Sequence, residues 1–410
     1  MRLHFTLLLL VALLLSHATL AAAAMEGHDL VLQGAKVYPS PTATPIDNAV
    51  VLIQHGRIVA VGKRTELKVP GSAQVVDCAG KVIVAGFWNS HVHFETGWQG
   101  IAQVPAVQVE THLHQMLTGW GFTTVWDLGS DPGNTLALRH RVASGEIHGP
   151  QILMAGDIFP QNGHPVYLPA EMQLPEAATP QQAEQMARQY MKMGLDGMKL
   201  FTGAFMGDKP VVNMDTAIVK AAVDVAHADG KPAFAHPQNR VGVDHALAGG
   251  VDVLAHTIPN EGSFSADELS QMKQQHTALI PTLTLWTTVV SDPVIADKLV
   301  SNGVDELKSY FSQGGAILFG TDVGFQSRYD TAQEFGFMGR AMGWRDILAS
   351  LTSSPSTFFK QPAKGRVEKG MIADLVVLDA DPASDVRNFS KVAYTIREGE
   401  IIYSAHAELH

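Results

Sequence analysis

Cysteine is nearly missing from this chain: Cys78 is the only one in 410 residues. A single thiol excludes an intramolecular disulfide and argues against thiolate-bound zinc clusters, so stability has to come from a buried core. Basic residues are also scarce, 29 Lys and Arg against 40 Asp and Glu, for a formal net charge of −11. No cluster of them could track phosphates, and nucleic acid is a poor partner for such a surface. Long apolar runs are lacking beyond the first 24 residues. That leading segment carries one charge (Arg2), an apolar stretch from Leu7 to Leu15, and small residues ending Ala22-Ala23-Ala24. This is the three-part layout of a secretory signal peptide, with an apolar stretch short of the ~20 residues that span a bilayer. Residues 1–24 are therefore expected to be removed from an exported, periplasmic or secreted protein that afterwards has no tie to the membrane.

What is present alternates. From Leu30 to Val84, short β-rich runs are broken by turns, and the same texture returns near the C-terminus in GMIADLVVLDAD and KVAYTIREGEIIYS. Two β-rich ends around a different middle most simply pair with each other, so residues 25–84 and 366–410 are expected to form one small β-sandwich. Between them, residues 85–365 alternate strand-like with helix-like runs, the pattern of βα units. Eight strands are expected, at 82–94, 122–129, 151–157, 197–203, 232–237, 251–257, 278–285 and 316–324. Eight such units close a (β/α)8 TIM barrel, which takes about 250 residues. The helices between carry their own punctuation: Thr179-Pro180 opens a run ending near Met193-Gly194, Asn213 is a candidate cap for 214–228, and Ser265 with Glu268 resembles a capping box.

Six potential metal ligands fall at the ends of these strands in the order His91, His93, Lys199, His236, His256, Asp322. In a TIM barrel the C-terminal strand ends converge on the active site, and side chains two apart in a strand share a face, so His91 and His93 can reach one ion. His112 and His114 have the same spacing inside a helix-like run, where residues two apart diverge; packing or surface is their expected place. Lys199 lies between Met198 and Leu200, where a charged amine is costly to bury. Either it snorkels outward, or its pKa falls and the free amine can add carbon dioxide to give a carbamate, a carboxylate able to bridge two cations. The histidines and oxygens suit zinc or a similar divalent ion.

With these residues the chain resembles the amidohydrolase superfamily in its binuclear, carboxylated-lysine subtype. The similarity rests on the His-x-His strand, GFTTVWDLG, HGPQILMAG, DGMKLF, the histidines of strands five and six, GTDVG and the closing KGMIADLVVLDADP. Within the superfamily it is most similar to the imidazolonepropionase-like and Xaa-Pro-dipeptidase-like (prolidase-like) group. The resemblance implies that His91, His93 and Asp322 hold one ion and His236 and His256 the other, with carboxylated Lys199 and a hydroxide between them. It further implies that Asp322 moves the proton in hydrolysis of a C–N bond of an amide or dipeptide, and that His164 polarises the carbonyl or holds the substrate. The loop around His164 reads Gln161-Asn162-Gly163-His164, a departure from the Gly-Gly-His of relatives, and a solvent-facing role is open for it.

Tyr167, Trp98, Trp286 and Arg328 follow strands three, one, seven and eight, where this fold builds its pocket, and are candidates for substrate contact. Arg328 could pair with a substrate carboxylate. A lactonase or phosphotriesterase would use the same ions on another bond, and a binding protein that kept the fold but lost catalysis would lack ligands. A homo-oligomer is compatible with the scaffold.

Overall fold

The computed structural model describes residues 29–94, 98 and 100–405, and the expected signal peptide, residues 1–24, lies outside them. Strands from both chain ends form the first sheet: β1 (Leu30–Val37), β2 (Ile46–Gln54), β3 (Arg57–Lys63), β4 (Gln74–Asp77) and β5 (Val82–Ala85) early in the sequence. They meet strands from the C-terminal segment that are numbered after those of the barrel. The barrel strands are β6 (Phe87–Val92), β7 (Phe122–Asp127), β8 (Gln151–Pro160), β10 (Gly197–Ala204), β12 (Ala233–Pro237), β13 (Val253–Leu254) and β14 (Ala278–Leu279). Two short additions, β9 (Glu176–Ala177) and β11 (Val212–Asn213), pair on β8 and β10. The late strands β15 (Leu375–Leu378), β16 (Val392–Arg397) and β17 (Glu400–Ser404) return to the first sheet.

The two chain ends pair with each other as expected, in one hydrogen-bonded sheet ordered β17-β16-β15-β5-β1-β2-β3 with β4 also on β1. Strand β1 makes this possible because β4 pairs with its first half, Leu30–Gln33, and β5 with its end, Lys36–Val37. Both partners share one edge in succession, so the sheet bends there and need not split. Alternation along β5 and β15 then serves two cores. Ile83, Ala85, Leu375 and Val377 pack with Leu32 and Val51 inside the bent sheet, whereas Val82, Val84, Val376 and Leu378 join the barrel's core.

The barrel strands are parallel in the order β6-β7-β8-β10-β12-β13-β14. The eighth segment, 316–324, closes the ring with single bridges, Ile317 to Leu279 of β14 and Val323 to Val92 of β6. Backbone bonds back it: Leu279 N donates to Ala316 O and His93 N to Val323 O, both within 2.9 Å. One correction concerns the run 82–94, which is not one strand but β5 of the first sheet and β6 of the barrel, divided at Gly86. Gly86 sits where a Cβ would come within 2.3 Å of the Thr123 hydroxyl, so only glycine lets the chain pass this close.

Trp88, Trp126 and Phe234 fill the inside of the barrel with Leu318 and Ile280. The Phe359 ring stacks on Trp88 at 5.9 Å, so the cylinder has an apolar floor and its polar end lies at the opposite mouth. Local signals place the outer helices. Thr179 accepts from Gln182 N at the start of Pro180–Met193, and Gly194, at φ 84°, ends it. The Ser265–Glu268 capping box opens Ala266–Gln275. Asn213 does not cap the following helix, which begins at Thr216 under Asp215; it lies in β11 and donates to Thr202 O and Asn239 Oδ1.

Candidate active site

Three side chains at the junction of β6 and the eighth segment face one another. His91 Nδ1 lies 3.0 Å from Ala255 O and His93 Nδ1 2.8 Å from Gly129 O. A carbonyl can only accept, so each Nδ1 carries its ring's proton and each Nε2 presents a lone pair. Yet those two Nε2 atoms are 3.2 Å apart, and they lie 3.1 and 2.9 Å from the same oxygen, Asp322 Oδ1. Among the described residues, that buried oxygen has no hydrogen-bond partner. Three buried acceptors aimed at one point repel unless a cation lies among them. Ligand atoms of His91, His256 and Asp322 all fall within 4.8 Å of one another, and the donor set of imidazoles and carboxylate suits a zinc-like ion.

The backbone is bent to hold this arrangement. Asp322 has φ 59°, a left-handed conformation that costs a non-glycine residue and tends to persist at working sites. Its N donates to His91 O at 2.9 Å. Beside it Asn89 Nδ2 donates to the Thr321 hydroxyl at 2.8 Å, locking the first strand to the eighth. Gly324 comes so near His93 that an added Cβ would lie 1.9 Å from its carbonyl oxygen, which explains the second glycine of GTDVG.

His236 and His256 complete the ring, their rings meeting edge to face at 4.7 Å. His256 Nδ1 is held by the Thr282 hydroxyl at 2.7 Å, leaving Nε2 for another partner. His236 stacks on Phe201 and its Nε2 lies 3.2 Å from Gln238 Oε1. Burial, reinforced by the cationic Lys199 nearby, brings His236 down to about 3. Burial likewise holds His91 and His256 well below the usual imidazole range, so all three rings are neutral at physiological pH.

Lys199 does not snorkel. It is 1% exposed, in the middle of β10, and faces the cavity. Burial brings its ammonium down to about 8, against the pull of Asp322, Asp157 and Asp127. A sizeable fraction of free amine is then available near neutral pH, as carbamate formation requires. All six candidate residues thus line a single cavity of about 1350 Å³.

The other candidates divide. Tyr167 and Trp286 line the cavity, Trp286 with its indole N–H 3.3 Å from the Thr257 hydroxyl. Trp98 does not: it is 2% exposed and stacked flat on His112 at 4.2 Å, the packing role expected of that histidine. Its partner in spacing, His114, packs against Tyr403. Arg328 points away and donates to Gln333 Oε1. His164 is turned into its own loop, its ring nitrogens 3.2 Å from the carbonyls of Pro165 and Met172, and it is absent from the cavity wall. The Asn-Gly turn that replaces a Gly-Gly, with Asn162 left-handed at φ 60°, accompanies that orientation.

One carboxylate escaped the sequence reading. Asp157 lies on β8 in register with Lys199 and lines the cavity, and burial raises its pKa to about 6. Its signal was available, an acid closing the apolar run QILMAGD just as Asp322 closes LFGTD.

A sequence model of the amidohydrolase family matches residues 82–402. Among curated relatives, adenine deaminase 1 of Jannaschia sp. is 25% identical over 373 residues, covering 87% of this chain and 56% of the relative. Enamidase of Eubacterium barkeri is 23% identical over 220 residues, 48% of this chain and 56% of the enzyme. This chain therefore spans little more than half the length of either. The crystal structure of a Xaa-Pro dipeptidase with bound methionine superposes with a TM-score of 0.77 at 21% identity, covering 92% of this chain and all of that one, and shows the shared fold. Both the match from β5 to β17 and the strand-end ligands point the same way: the chain belongs to the amidohydrolase family.

Proposed function

We propose that this protein hydrolyses a C–N bond of a small amide with two divalent ions, zinc in the first instance, held at the barrel mouth. The observation that carries the reading is the set of buried acceptors, the Nε2 atoms of His91 and His93 and Asp322 Oδ1, converging on one point. His91, His93 and Asp322 would hold one ion and His236 and His256 the other. Lys199 would bridge them after its free amine adds carbon dioxide and releases a proton to become a carbamate. When bound, such ions acidify a shared water and polarise a scissile carbonyl.

The chain's own residues do the rest. Asp322 takes the proton of the attacking water and hands it to the departing nitrogen, which leaves as a neutral amine. The neutral imidazoles compensate none of the ions' charge, so Asp322 and the lysine carbamate supply the negative charge at the centre. Esters, lactones and phosphotriesters are the competing substrates for such a centre, and a hydrolysis screen over all four substrate classes separates them. The test of the metal reading is chelation: turnover is expected to vanish in the stripped protein and return with added zinc, while full activity without metal would overturn it. We further propose export after removal of residues 1–24, to be checked by the N-terminal sequence of the mature protein.

A further inference from the structure

We infer that the substrate of this site is a neutral, largely apolar amide and not a dipeptide or any N-acyl amino acid with a free carboxylate. The inference rests on the amide-hydrolase reading for its chemistry and on the cavity wall for its selectivity. Among the described residues, no arginine lines the cavity and its only lysine is Lys199, already placed between the metal ligands. Arg328, the guanidinium nearest in sequence to the wall residue Phe325, is committed to Gln333.

What charge the wall does carry beyond the ligands is negative: Asp131 and Asp157. A carboxylate seated on this wall, away from the metal centre, would lose its water, find no side-chain cation to replace it, and face two like charges. Apolar surface, in contrast, is abundant. Phe159, Phe201, Leu285, Trp286, Leu299 and Phe325 line the interior.

The mouth repeats this chemistry. Eleven large apolar side chains are exposed among the described residues, and five of them, Tyr167, Met172, Phe205, Val289 and Ile295, belong to this one cavity. Exposed apolar side chains gathered at one opening mark a surface that binds apolar groups. The volume of about 1350 Å³ exceeds the roughly 300–1,000 Å³ usual for ligand pockets, so the amide can bear a bulky apolar group on either side.

A matched pair tests this: N-benzoyl-2-phenylethylamine and N-benzoyl-phenylalanine share ring, linker and amide and differ only in the carboxylate. With the metal-loaded enzyme, kcat/KM is expected to favour the neutral amide by about tenfold or more. The same pair with a sulfonamide in place of the amide cannot turn over and reports binding alone, by calorimetry. Tighter binding of the neutral sulfonamide, even if neither amide were cleaved, would uphold the selectivity and reject the amide chemistry. Equal or tighter binding of the carboxylate, or no binding of either, would overturn the inference. Phe205→Arg, at the exposed rim, is expected to shift the preference toward the carboxylate.

Discussion

The chemistry of this protein depends on where single lone pairs point. Asp322 Oδ1 and the Nε2 atoms of His91 and His93 have no proton to share among them. Removing Lys199, the bridging group of the proposal, is expected to leave a folded protein without turnover, so Lys199→Ala should keep its circular dichroism and lose metal in elemental analysis. A subtler case is Thr282, itself left-handed at φ 44°, whose hydroxyl holds His256 Nδ1. Groups behind a ligand typically govern ~10–100-fold in metal affinity or activity. Thr282→Val should weaken zinc binding by that order with the six ligands intact, and unchanged affinity would deny the hydroxyl any role in aiming the ring. At this scale the sequence was informative where chemistry clusters. His91, His93, Lys199, His236, His256 and Asp322 were recognisable because each lies within or at the end of a short apolar run. Trp98, His164 and Arg328 misled because a loop's position in the chain does not fix which way its side chains turn; Trp98 found a stacking partner in His112 instead.

Elements tell a related story. The last three barrel strands were legible as apolar runs, yet β13 and β14 pair over two residues each and the eighth segment only by bridges. Acids far along the chain hold what the ladders do not. Glu306 accepts from Ile258 N across 48 positions, and Glu334 from Leu283 N across 51; no local pattern announces either. Both are buried, and burial raises both pKa values from the ordinary 4.5, that of Glu306 well above it. The folded chain therefore holds the Glu306 proton more tightly than the unfolded chain does. Stability contributed by this group is present below its unfolded value of 4.5 and declines as pH rises through the folded one. Glu306→Gln cannot titrate. The melting temperature of the parent, relative to this variant, is expected to fall as pH rises above 4.5; a difference that stays flat would show that the carboxyl keeps its charge when folded.

Across the whole molecule, the two sheets meet at a buried ion pair on the floor side of the barrel. Lys364 Nζ lies 2.8 Å from Asp374 Oδ2, with side chains 6% and 3% exposed. The lysine also donates to Thr124 of β7 and Gln151 of β8. Asp374 ties the other side, accepting from Glu398 N with its carboxylate and from Gly86 N, where β5 gives way to β6, with its carbonyl. In the sequence nothing in AKGRVEKGMIAD pairs Lys364 with Asp374, so the division into barrel and end sheet could be read while their fastening could not. Removing one member of such a pair strands the other charge without water and typically costs about 3–5 kcal/mol, whereas replacing both by apolar residues of similar volume is often neutral. Asp374→Ala should accordingly lose stability of that order in urea unfolding, and the double variant Lys364→Met with Asp374→Leu should regain most of it. Because the pair lies at the opposite end of the strands from the metal ligands, kcat of the folded fraction is expected to stay at the parent's value in both variants. A single variant as stable as the parent would mean that apolar packing of Val82, Val84, Val376 and Leu378 fastens the end sheet unaided.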